Sequence, residues 1–119
     1  MNLKLRITRQ AIEDIDANKV WWEQNRSVKQ ANDWEDVVFE QIATLVEFAS
    51  ACPPSRENGR KGIAFPLQDK RLGLRKTYTH RAVFTIENGT IYVLAVRSTR
   101  QSDLEPDDLP GNLESGGAC

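Results

Sequence analysis

A single histidine, two cysteines and one methionine leave the 119-residue chain little with which to hold a metal or run thiol chemistry. Cys52 precedes Pro53-Pro54 and Cys119 closes a Gly-rich tail, so the pair reads as two free thiols of a reducing compartment, not a disulfide framework. Zinc would want about four ligands and finds one imidazole. No stretch approaches the roughly 18 apolar residues of a membrane span, and the opening MNLKLRITRQ lacks the apolar core of a secretion signal. The expectation is one small cytoplasmic domain that needs no metal or other cofactor, because a chain of this size can bury on the order of two-thirds of its unfolded surface.

What is present is charge, unevenly placed. Residues 1–58 carry seven basic and ten acidic side chains, residues 59–102 nine basic and two acidic, and the tail from Asp103 five acids and no base. The central excess of cations suits an anionic partner, either nucleic acid or an acidic protein segment, or else marks a sheet edge protected by Lys and Arg. The tail is rich in Gly and Pro as well as acid, and is expected to be flexible or to fold back over the basic surface. The division is therefore a domain over 1–102 and an acidic tail over 103–119.

Hydrophobic periodicity predicts the elements. Leu3, Leu5 and Ile7 alternate with Lys4 and Arg6 as in a half-buried strand. Thr8 can cap a helix from Arg9 to about Asn25, with Ala11, Ile12, Ile15 and Trp22 on its apolar side. Ser27 and Gln30 resemble a capping box opening a second helix, along which Ala31, Trp34, Val38, Ile42, Leu45 and Ala49 form one stripe. Cys52-Pro53-Pro54 ends it. The helices should form an antiparallel hairpin, with Trp21, Trp22, Trp34, Phe39 and Phe48 as core or partner-facing residues. A loop follows from Ser55 to Asp69, then strands around Leu72 to Tyr78, Ala82 to Ile86 and Ile91 to Val96.

Asn88-Gly89 between the last two strands predicts a type I′ hairpin, since both central residues of that turn need positive φ. With Glu87 opposite Thr90, Phe84 faces Val93, Ala82 faces Ala95 and His80 faces Arg97, all on the helix side. Arg81 and Arg100 then fall on the other face, so guanidinium groups should gather on a sheet surface that the helices leave open. A bulge would undo the grouping of Arg100. His80 is the one side chain titrating near neutrality, and reads either as a satisfied structural histidine or as a general acid/base. Arg81 reads as phosphate-binding or as half of a structural ion pair.

The order of elements, with Ile7-Thr8-x-x-Ala11-x-x-Asp14-Ile15, Pro53 and Gly59-Arg60, Thr79-His80-Arg81-Ala82-Val83-Phe84-Thr85-Ile86, and the run Ile91 to Arg100, resembles the RelE/ParE superfamily of toxins from type II toxin-antitoxin and plasmid-stabilisation systems. The resemblance implies an α+β fold, an N-terminal strand and a two-helix hairpin on one face of a twisted antiparallel sheet. It implies a cognate antitoxin as partner and no membrane. Two targets follow from it: RelE-like members resemble ribosome-dependent mRNA endonucleases, whereas ParE-like members resemble inhibitors of DNA gyrase. A protein-binding module without toxicity is the alternative. Arg81 and Arg100 match the family pattern, and with His80 they form the candidate catalytic set. Lys70, Arg71, Arg75, Lys76 and Arg97 form the candidate binding set. Ser98 replaces the histidine common in the ParE-like branch, and the tyrosine typical near the end of active nucleases is missing, since none follows Tyr92.

Overall fold

The computed structural model describes residues 3–74, 78–101, 103–110 and 113. Strand β1 (Lys4–Ile7) leads into helix α1 (Arg9–Asn25) and helix α2 (Val28–Ala43), then a single turn, α3 (Leu45–Phe48). Three strands follow, β2 (Gln68–Leu72), β3 (His80–Glu87) and β4 (Thr90–Ser98). They assemble as one sheet in the order β1-β4-β3-β2. Only β1 runs parallel to its neighbour, which makes the sheet mixed.

The caps fall where the sequence places them. Thr8 Oγ1 accepts from the Ala11 N–H at 3.3 Å and donates to the Val93 carbonyl at 2.9 Å, so one hydroxyl starts α1 and ties it to β4. Ser27 Oγ accepts from the Gln30 N–H. The apolar stripe of the second helix continues past Ala43, but its backbone tightens through α3 into a 3-10 turn, Ala49–Ala51, ahead of the prolines. The first strand of the antiparallel set begins at Gln68, earlier than expected. Pro54 bridges Gln68, and the Ser55 N–H reaches the Leu67 carbonyl at 2.8 Å, so the chain pairs as soon as it leaves the loop.

Helix-side packing is apolar and large. Ala11, Ile15, Trp34, Val38, Ile42 and Leu45 meet Leu72, Ala82, Phe84, Ile91, Val93 and Val96 of the sheet. Asn88 (φ 51°) and Gly89 (φ 76°) both take the left-handed conformation that the type I′ turn requires. The expected register holds from Glu87↔Thr90 to Phe84↔Val93 and then slips by one residue at a bulge on β4. Val83 pairs with Ala95, Ala82 with Val96, Arg81 with Arg97, and His80 with Ser98. The expected pairs Ala82–Ala95 and His80–Arg97 are thereby corrected. The extra residue lets Leu94 and Ala95 both serve the second face, and carries Arg97 from the helix side to the side of Arg81.

The face away from the helices is not open. The loop residues Ile63, Phe65 and Leu67 and the C-terminal Leu104, Leu109 and Leu113 cover Val83, Leu94 and Ala95 in a second, smaller core. The described residues of the tail thus lie folded back on this face of the sheet. Leu104 is buried, and Asp103 bridges Arg56 and Arg60.

Candidate functional site

Arg81 sits at the centre of the covered face. Two successive turns precede it in sequence, the Asn58 N–H to the Ser55 carbonyl and the Arg60 N–H to the Glu57 carbonyl, with Gly59 at φ 79° between them. They turn the Glu57 side chain inward until it is fully buried. There Arg81 takes it in a fork, Nη1 to Oε1 at 2.8 Å and Nη2 to Oε2 at 2.5 Å. Asp69 of β2 accepts a further bond from Arg81 Nη1 at 3.1 Å. Ser55 Oγ donates to Glu57 Oε1, and the Leu104 N–H donates to Glu57 Oε2 at 2.8 Å.

Burial alone would raise the Glu57 carboxyl, but the bonds from Arg81, Ser55 and Leu104 outweigh it and hold the group down at about 2. Asp69 keeps a raised pKa, because its own burial exceeds what its share of Arg81 returns. The guanidinium is also desolvated, and the two carboxylates more than compensate, so its pKa is raised too. A cation 5% exposed and clasped by two acids is an internal brace. The expectation of Arg81 on open sheet surface is therefore corrected. Its partners come from the loop and from β2.

His80 lies on the opposite face, as expected, and 7% exposed. Asn18 Nδ2 donates to the Asp14 carbonyl, which leaves its Oδ1 to accept from His80 Nε2 at 2.9 Å. His80 Nδ1 then accepts from the Thr79 hydroxyl at 2.8 Å. The ring stands edge-on to Trp34, with centroids 5.1 Å apart. Burial lowers its pKa, so a neutral, fully bonded imidazole joins α1, α2 and β3.

The remaining candidates scatter. Arg71, Arg81 and Arg97 pair side by side across β2, β3 and β4, so they form one row on the covered face. Arg71 is exposed at the edge, and Arg97 is half-buried and favours the charged form of Asp14. Lys70 pairs with Ala82 and thus falls on the helix side. Arg100 lies past the end of β4 on an exposed turn, where strand parity no longer applies. Arg75 and Lys76 lie outside the described residues. Sequence reasoning missed Glu57 and Ser55, which stand inside the Pro53 to Arg60 segment that carried part of the resemblance. Among the described residues no group of three or more His, Cys, Asp or Glu side chains could hold a metal ion. No helix of the described residues is long and apolar enough to cross a membrane.

The family described as the ParE toxin of the type II toxin-antitoxin system parDE matches residues 5–103. Among solved structures the chain is similar to one from the chromosomal ParDE system of P. aeruginosa, with a TM-score of 0.65 at 20% identity, over 81% of this chain and 95% of that one. At such identity the likeness is one of fold. Among curated proteins no significant match is found.

Proposed function

Because the chain belongs to the ParE toxin family of type II toxin-antitoxin systems, we propose that it arrests growth by binding and obstructing DNA gyrase, and that a cognate antitoxin neutralises it. The observation that carries this reading is the capture of Arg81 by Glu57 and Asp69. Cleavage of mRNA through a 2′-hydroxyl needs an accessible cation for the crowded phosphorane and two groups to move protons. Here the matching arginine is neutralised inside the protein, and His80 is buried on the other face with both ring nitrogens engaged. No tyrosine follows Tyr92. Inhibition by binding needs none of these groups. The exposed apolar residues of the helical hairpin are the contacts proposed for the antitoxin.

Expression of the chain in cells, with RNA 5′ ends, DNA-damage response and plasmid supercoiling followed together, tests this reading. Growth arrest with altered supercoiling and no codon-phased RNA ends is expected, with rescue by the antitoxin. Codon-phased cuts would overturn the gyrase reading in favour of an mRNA interferase. Absence of arrest would leave a protein-binding module on the same scaffold.

A further inference from the structure

We propose that the outer side of the 55–62 loop is a receptor for a phosphate dianion, free or as a terminal monoester, and that Asp103 of the chain's own C-terminal segment occupies it. The receptor begins with the inward turn of Glu57. That turn commits the one acid of the loop to Arg81, and leaves Arg56, Arg60 and Lys61, three cations within six residues, on the exposed side. The two arginines converge on a single carboxylate. Arg56 Nε lies 2.6 Å from Asp103 Oδ1, and Arg60 Nη1 pairs with Oδ2. Arg56 Nη2 donates to the Gln101 carbonyl at 3.0 Å, which fixes the plane of that guanidinium. Planar forks aimed at one oxyanion are the arrangement in which arginine takes phosphate as readily as carboxylate.

Charge favours the dianion over the resident group. Three cations against one carboxylate leave a surplus of two, which a phosphate of charge near −2 matches better. Arg56 Nε also lies 3.9 Å from Glu57 Oε2, but that carboxylate is already taken by Arg81. Lys61 has no ion-pair partner among the described residues. The two bridges of Asp103 are partly exposed, a class of pair that contributes little. The segment around Asp103 is fastened by other means. Leu104 is buried and its N–H donates to Glu57 at 2.8 Å. Pro106 packs so closely on Gly62 that a Cβ there would come within 2.7 Å of its Cγ. Asp108 accepts from the Glu105 N–H at 2.8 Å and closes its own turn. The Asp103 side chain can therefore swing into solvent while the segment stays in place, and the receptor remains assembled for another anion.

The test titrates inorganic phosphate into the full chain at constant ionic strength and about pH 7.5, above the second phosphate pKa of about 6, and follows backbone amide and arginine Nε shifts. Saturable shifts confined to Arg56, Arg60, Lys61 and Asp103 are expected. Asp103→Asn should tighten binding about fivefold, because it removes a tethered competitor and its like charge. Arg60→Gln, whose side chain pairs with Asp103 alone among the described residues, should weaken binding about tenfold. Both positions are on the surface of the fold, and an unchanged thermal transition confirms that the variants fold. Dimethyl phosphate, a monoanion, should bind at least about fivefold more weakly than phosphate. A nucleoside 5′-monophosphate separates the two sources: binding tighter than phosphate marks a site for an ester-borne group, and binding no tighter marks a site for the free ion. Shifts that do not saturate and spread to Lys70, Arg71 and Arg100 would overturn the proposal. So would undiminished binding in Arg60→Gln, no gain in Asp103→Asn, or dimethyl phosphate binding as well as the dianion. Since neither toxicity nor an antitoxin is read, failure of the gyrase proposal leaves this outcome unaffected.

Discussion

The two faces of the sheet are closed by different physics. Against the helices, Trp34, Phe84, Ile15 and Ile42 interdigitate with no charge among them. On the other face a smaller, leucine-rich core shares the surface with a buried arginine and its two carboxylates. The first face is specified by volume and by a 3.6-residue stripe visible in the sequence. The second is specified by a loop and a C-terminal segment that must both deliver groups to one guanidinium. A face closed in this way is stable only while every member is present, because each ion left alone in the interior costs far more than the pair gains.

The sharpest way to break the contrast is to remove one ion. Arg81→Ala is expected to cost about 3–5 kcal/mol in urea unfolding, and Arg81→Met nearly as much, since shape does not replace charge beside Glu57. On the helix side Trp34→Ala should cost a similar ~3–5 kcal/mol, but Trp34→Phe should recover much of it. Equal recovery by Arg81→Met would erase the distinction.

Acid titration sharpens the contrast further. Glu57 is held at about 2 against an ordinary 4.5, so its contribution is complete above pH 4.5 and is lost as pH falls toward 2. Asp69, with its raised pKa, acts in the opposite sense and offsets part of this loss. Denaturant midpoints between pH 5 and 2.5 should therefore fall for the native chain and fall less for Glu57→Gln. On the helix side the window is higher. His80 has a lowered pKa, so the folded state resists the proton that the unfolded chain binds, and stability drops as pH goes below about 6.5. His80→Gln should flatten that part of the curve. The smallest effect belongs to Asp103, whose bridges to Arg56 and Arg60 are partly exposed. Asp103→Asn should cost less than ~1 kcal/mol and lose its effect in high salt.

Most of the helix-side face was legible in the sequence. Caps at Thr8 and Ser27, the stripe through Trp34 and Ile42, and the Asn88-Gly89 turn are local codes, and each produces its element. The bulge at Leu94 was not legible, because a run of apolar residues reads the same whichever face each one serves. That single slip moves Arg97 and leaves His80 in place. The candidate site was least legible of all. Arg81 was identifiable as a residue of consequence, yet its partners lie 12 residues away on β2 and 24 residues away in a loop whose inward turn depends on tertiary packing. Nothing in the segment Ser55-Arg56-Glu57 distinguishes its one fully buried acid from a solvated one.

Chemical modification of arginines in the folded chain tests the account most directly. With phenylglyoxal and mass-spectrometric mapping, Arg71 and Arg100, both exposed, should react readily, while Arg81 stays protected until the chain is unfolded. Modification of Arg81 in the native protein at the rate of Arg100 would show an accessible guanidinium, and would contradict both the internal brace and the argument against nuclease chemistry.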